Sequence, residues 1–143
     1  MTLTRSDQRT RRRARARALQ ALYAWDVTGA DELLRLTHRL WDDLAVGADE
    51  RDFAGPVLRF LDRERAAIDR QIEDVTTNWR LERIGAIERC VLRLGVAELS
   101  LGDVPTKATI QESVRLAEMF GSDDSAKFVN GVLDAVARRL GRL

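Results

Sequence analysis

Arginine is concentrated in one short stretch of the chain, residues 5–17. The stretch holds seven arginines and a single acidic residue, Asp7, so it carries a net charge of +6. Because the whole chain sums to +1, the remaining residues carry −5. Arginine presents a planar fork of donors that fits phosphate oxygens and can stack on bases. This asymmetry predicts a polyanionic partner, and nucleic acid is the polyanion that it favours.

The arginines are predicted to lie on the first turns of a helix. Ala18, Leu22 and Trp25 follow them at i, i+4 and i+7, a spacing typical of an apolar helix face. The alanines between the arginines favour a helix as well. Two other interpretations stay open at this point: a solvated basic tail and an arginine-rich transit peptide.

Other residues that could do chemistry give weak signals. The sequence contains no glycine-rich phosphate loop, zinc-ligand spacing or nucleophile elbow. The acidic pairs at 42–43 and 123–124 suit solvent or helix-cap positions, because adjacent helical residues face different ways. His38 is predicted on the surface, and Cys90, which has apolar neighbours and no histidine near it in sequence, in the core. We therefore expect no enzymatic activity, no metal site and no cofactor.

Length and composition predict one folded domain spanning residues 1–143. Apolar residues make up 45% and charged residues 33% of the chain, and the two prolines and few β-branched runs favour an all-α fold. A single cysteine cannot form an internal disulfide, so a reducing cytoplasm suits the chain. No apolar run approaches the roughly 20 residues needed to span a bilayer, and we expect a cytoplasmic protein without a membrane segment.

Apolar spacing and turn residues divide the chain into helices. The first is predicted to end at Gly29, the second to start at Asp31 and end near residue 44, and a long stretch over 49–77 to break near 61–65. A helix opened by residues 79–84 is apolar on almost all sides as far as Leu101, which is typical of a central, buried helix. Helices over 106–120 and after the cap candidates at 122–125 complete the chain.

Four segments resemble the bacterial antitermination factor family NusB. They follow one another in the order of the family and cover most of the chain except residues 29–77, which match only in helical pattern. The last segment, 120–134, is the most specific. The four segments are residues 11–25, residues 79–94, residues 103–114 and residues 120–134.

The resemblance implies a fold and a function. The fold is all-α, with about seven helices in two packed bundles. The function is binding of the boxA element of ribosomal RNA leaders together with NusE, a protein that doubles as a small-subunit ribosomal protein. The complex would join RNA polymerase and other Nus factors and suppress termination during ribosomal RNA synthesis. Members of the family can be monomers or homodimers, and the sequence does not choose between them.

The resemblance also implies site residues. Arg11, Arg12, Arg13 and Arg15 match the RNA-binding motif of the family. A second RNA-proximal segment contributes Asp124, Lys127 and Phe128, although Asp124 could instead be a helix cap and Phe128 a core aromatic. Tyr23 and Glu88 match positions associated with the NusE surface.

Two other functions stay open beside this interpretation. The chain could be a helical protein-interaction scaffold whose arginines meet an acidic partner, with no RNA binding of its own. It could also be a DNA-binding helical module, although no helix-turn-helix spacing supports a reader of duplex DNA.

Overall fold

The computed structural model describes residues 3–29, 32–76 and 80–143. Within these ranges the chain forms seven α-helices and one 3-10 turn. Asp31 and Trp79 lie outside the described residues. The helices and the turn are α1 (Arg5–Thr28), α2 (Leu33–Asp43), α3 (Ala48–Arg63), α4 (Arg65–Val75), the turn Leu81–Arg83, α5 (Ala86–Leu101), α6 (Thr106–Phe120) and α7 (Asp123–Arg139).

Helix α5 is the centre of the fold. Every residue from Cys90 to Leu99 is buried. Helices α1, α2 and α3 pack together as one bundle, α4, α6 and α7 form the second, and α5 contacts both. The predicted all-α fold of about seven helices in two bundles is thereby confirmed, as is the central position of the helix that is apolar all round. No helix among the described residues is both long and apolar enough to cross a membrane.

Both ends of α1 carry local signals that fix its bounds. Thr4 and Asp7 form a capping box, in which the Thr4 hydroxyl accepts from the Asp7 amide at 3.0 Å and the Asp7 carboxylate accepts from the Thr4 amide at 3.2 Å. Gly29 ends the helix at φ 61°, a left-handed conformation that suits glycine. The arginine-rich stretch is therefore a capped helix rather than a tail.

The start of α5 differs from the prediction. The helix begins at Ala86 rather than near residue 79, because Ile84 and Gly85 are extended. A Cβ atom at Gly85 would lie 2.4 Å from a Glu88 carboxylate oxygen, so a larger residue there would require the Glu88 side chain to shift. Arg89 stabilises the interruption by donating to the carbonyls of Leu81 and Ile84.

Buried ion pairs fix the direction of α1 against α5. Arg15 in the middle of α1 pairs with Glu98 near the end of α5, and Asp26 near the end of α1 pairs with Arg89 and Arg93 near the start and middle of α5. The two helices are therefore antiparallel. Burial raises the pKa of Asp26, but hydrogen bonds and charges from the two arginines outweigh it and hold that pKa below its usual value.

Candidate nucleic-acid interface

The exposed face of the first half of α1 carries unpaired cations. Arg5, Arg9 and Arg13 are exposed, and none of them forms an ion pair with an acidic residue in the described part of the chain. A helix places residues four apart on the same face, so Arg5, Arg9 and Arg13 follow one line along α1. This line is the strongest candidate for phosphate contacts.

Three of the seven arginines are instead held by acids from other helices. Arg12 pairs with Glu112 of α6 at 3.2 Å, and Arg17 with Glu50 of α3 at 3.8 Å. The Arg12 side chain stays 43% exposed and its Nε edge alone meets the carboxylate, so its terminal nitrogens remain free for phosphate. Arg12 therefore stays in the candidate interface.

Arg15 is not available at this surface, and the expectation for it needs correction. Its side chain is 5% exposed and forms a two-pronged pair with Glu98, with Nε to Oε2 and Nη2 to Oε1 both at 2.9 Å. Helical spacing places residue 15 on the same face as the buried Ala18 and Leu22. The high arginine content of residues 5–17 does not by itself distinguish this buried position from the exposed ones. Its guanidinium stabilises the packing of α1 on α5.

Arg11 rests on an aromatic ring that sequence reasoning missed. Its guanidinium carbon lies 5.0 Å from the centroid of the Phe53 ring, and that of Arg15 lies 4.9 Å from the same centroid. A guanidinium stacked on a ring keeps its in-plane N–H donors free, so Phe53 can position Arg11 for a phosphate. The sequence gives no sign that α3 supplies this ring, because the contact depends on how α1 and α3 pack.

The second candidate surface surrounds the start of α7. Ser122 caps this helix by accepting from the Ser125 amide at 3.2 Å, so the cap is Ser122 and not Asp124. Asp124 and Lys127 are exposed and Phe128 is half-buried. Asp124 and Phe128 line a cavity of about 290 Å³.

Glu88 lies in this same cavity rather than alone on an exposed edge. It is half-buried, and its Oε1 accepts from the Ser125 hydroxyl at 2.5 Å. The structure therefore groups Glu88 with the RNA candidates Asp124 and Phe128. Arg83 from the 3-10 turn lines the cavity too and adds a cation that sequence reasoning did not single out.

Tyr23 and Val27 form an exposed pair on the second half of α1. They lie one turn apart on the helix and are 40% and 53% exposed. Two neighbouring apolar side chains in solvent fit a surface that another protein covers. Cys90 offers no chemistry here, since it is fully buried and burial raises the pKa of its thiol to about 12.

The two candidate surfaces lie at different ends of α5. Glu88 lines the cavity near the start of this helix, and Glu98 holds Arg15 near its end. Ten residues of helix separate them, which corresponds to about 15 Å along the axis. A ligand that contacts both surfaces must be extended.

The central helix between two bundles and the basic first helix together define an all-α fold of the antitermination-factor class. A family model described as the NusB family matches residues 12–138. The transcription antitermination protein NusB of Anaeromyxobacter dehalogenans (strain 2CP-1 / ATCC BAA-258) is 47% identical over 133 residues, which cover 91% of this chain and 92% of that protein. The chain belongs to the NusB family.

Solved structures agree with this membership. The NusB of T. maritima is 29% identical with a TM-score of 0.81, and the match covers 90% of each chain. A chain from the crystal structure of antitermination factors NusB and NusE in complex with dsRNA is 31% identical with a TM-score of 0.83, covering 92% of this chain and 98% of that one. The likeness extends over nearly the whole fold.

Proposed function

We propose that this chain is an RNA-binding transcription antitermination factor without enzymatic activity. It binds the boxA element of ribosomal RNA leaders together with NusE and suppresses termination in ribosomal RNA synthesis. The observation that carries the proposal is the line of unpaired cations at Arg5, Arg9 and Arg13, with Arg11 and Arg12 on its flanks. In a chain of the NusB family this line is best explained by the phosphates of an RNA strand.

Single-stranded RNA suits both surfaces. Its unstacked bases can stack on aromatic rings and guanidinium planes, and the cavity beside Phe128 has the volume to take one base. The two surfaces lie toward opposite ends of α5, where Glu88 and Glu98 are about 15 Å apart along the helix axis, and an extended strand suits this arrangement. Phosphates would follow the basic line on α1 while bases reach the cavity at α7.

Several partners follow from the proposal. NusE would cover the exposed pair Tyr23 and Val27, and the complex would join RNA polymerase and other Nus factors in the cytoplasm. The free protein would be a monomer or a homodimer. A homodimer that covered α1 would have to dissociate before the basic line could bind RNA.

A competition assay tests the function. A labelled single-stranded leader RNA is bound with and without NusE, and the competitors are the unlabelled leader, a scrambled RNA, duplex RNA and duplex DNA. We expect the leader to compete best and NusE to increase its affinity. Equal competition by duplex DNA would contradict the RNA assignment.

A protein-interaction scaffold is the second candidate function. It is favoured by the neutralisation of Arg12, Arg15 and Arg17 through internal acids and by the exposed pair on α1. In the same assay the scaffold would bind NusE and show no affinity for any RNA in the absence of NusE.

Replacement of Phe128 by alanine should weaken RNA binding more than folding. The ring is half-buried, so the loss of stability should stay below the roughly 3–5 kcal/mol of a fully buried phenylalanine. Loss of a base-stacking ring should reduce RNA affinity by about 1–3 kcal/mol. Thermal unfolding and RNA titration measure the two effects. Phe128→Tyr is the control that keeps the ring, and a large fall in melting temperature with intact RNA affinity would assign Phe128 to the core instead.

Replacement of Tyr23 by aspartate should weaken NusE binding and leave RNA binding without NusE unchanged. The new charge would lie in an exposed apolar pair that a partner must dehydrate. Titration with purified NusE measures the loss, which we expect to be at least about tenfold, the equivalent of 1.4 kcal/mol. Met119→Asp, which makes a similar change at an exposed apolar residue of α6, is the control. Normal NusE binding by Tyr23→Asp would move the interface elsewhere.

A further inference from the structure

A second cavity lies beside Arg11, at the end of α5 opposite to the cavity of Phe128. Its volume is about 190 Å³, and residues of α3, α5 and the turn between α5 and α6 form its walls. The apolar part of the wall includes Phe53, Leu101 and Val104.

The polar groups of this cavity are almost all hydrogen-bond acceptors. Asp52 and Asp103 are exposed carboxylates that line it. The Glu98 carboxylate lines it too, but both of its oxygens are already held by Arg15. Among the described residues that line the cavity, Arg11 is the one that carries a positive charge.

Pro56 also leaves one backbone carbonyl of α3 without its helical donor. Pro56 lies inside α3 and lines the cavity. Proline has no N–H, so the carbonyl of Asp52, four residues earlier, receives no helical hydrogen bond from it. The cavity thus combines apolar walls with the exposed carboxylates of Asp52 and Asp103.

This chemistry selects a flat apolar ring that carries hydrogen-bond donors. Two carboxylates repel a phosphate, so the phosphate belongs outside the cavity on Arg11, whose stacking on Phe53 leaves its N–H groups free. The exocyclic amino groups of cytosine and adenine donate to such acceptors, and carboxylates commonly accept from the amino group of cytosine. Uracil carries no amino group and is the poorer fit.

We propose that this cavity is a base-reading site for an unstacked cytosine or adenine. Arg11 binds a phosphate flanking that base, and Asp52 and Asp103 accept from its amino group. The inference rests on the proposed RNA-binding function and adds a specificity determinant to it. It places base recognition at both ends of α5, and the basic line of α1 runs beside the cavity of Arg11.

The test compares affinity for three RNA oligomers. The probes are an oligouridylate of about 12 nucleotides, within the usual range for single-strand sites, and the same oligomer with half of its uridines replaced by cytidine or by adenosine. Wild type should prefer the cytidine and adenosine oligomers by about tenfold, the lower part of the discrimination that a good base contact provides. Asp52→Ala and Asp103→Ala should each reduce this preference, and the double variant should reduce it most, while affinity for oligouridylate stays or rises.

A matched control separates base reading from simple charge. Asp49→Ala removes the same charge from an exposed position of α3 that does not line the cavity, so it should keep the preference intact. If Asp52→Ala and Asp103→Ala raise affinity for all three oligomers equally, the carboxylates act only through charge and the base site is refuted. Wild type that binds RNA without any preference refutes it too. Wild type that binds no RNA at all refutes the proposed function itself, which distinguishes the two failures.

Discussion

Replacement of Arg15 by methionine is expected to destabilise the protein by about 3–5 kcal/mol, because it leaves a buried carboxylate without its partner. The Glu98 side chain is only 3% exposed, and in the described part of the chain its ion-pair partner is Arg15. At roughly 3 °C per kcal/mol for a chain of this size, the melting temperature should fall by about 10 °C or more. Differential scanning calorimetry measures both quantities.

Two further variants give this prediction its controls. Arg13→Met makes the same change at an exposed, unpaired position of α1 and should alter stability by about 0.5 kcal/mol or less. Arg15→Met combined with Glu98→Leu removes both charges and should recover most of the loss, since buried pairs can often be exchanged for apolar residues. Equal stability of Arg15→Met and Arg13→Met would show that the pair is not buried in solution.

The double variant also separates the role of Arg15 from those of its neighbours. If Arg15 serves packing alone, Arg15→Met with Glu98→Leu should bind RNA nearly as well as wild type. If Arg15 instead contacts a phosphate, the slope of log affinity against log salt should be flatter in this double variant than in wild type by about 0.7.

The helices were predictable because local signals agree with tertiary packing. The end of α1 at Gly29 and the break near Glu64 were predicted correctly. The apolar run in α5 correctly predicted that this helix is central. The predicted start of α5 was wrong because the Arg89 side chain, not local propensity, binds the carbonyls of Leu81 and Ile84 and stabilises the non-helical residues before Ala86. Such contacts form only once the turn has packed on α5.

The candidate site was predictable in its residue types but not in its geometry. Charge located the basic helix, yet it could not tell the buried Arg15 from the exposed Arg13, because that difference depends on which face α5 covers. Phe53 and Arg83 come from α3 and the 3-10 turn, far from the arginines and from α7 in sequence. Only the packing of these elements brings them to the two surfaces.

Reversal of Arg12 and Arg13 to glutamate should reduce affinity for single-stranded RNA on the order of 100-fold at low salt, because two attractive contacts become repulsive. Both side chains are exposed, and the pair between Arg12 and Glu112 contributes about 1 kcal/mol or less. Helical content should therefore stay near that of wild type. RNA titration over a series of salt concentrations and circular dichroism measure the two effects.

The salt series gives a second and independent readout of the same reversal. Three to four phosphate contacts in wild type predict a slope of about −2 to −3 in log affinity against log salt, at about 0.7 for each contact with a single strand. The double reversal should flatten this slope by about 1.4. Reversal of Arg138 and Arg139 is the matched control, since both are exposed at the end of α7, both pair with an acid, and the change in net charge is identical. If the two double reversals weaken RNA binding equally, the effect is one of net charge, and α1 is not the surface on which the RNA lies.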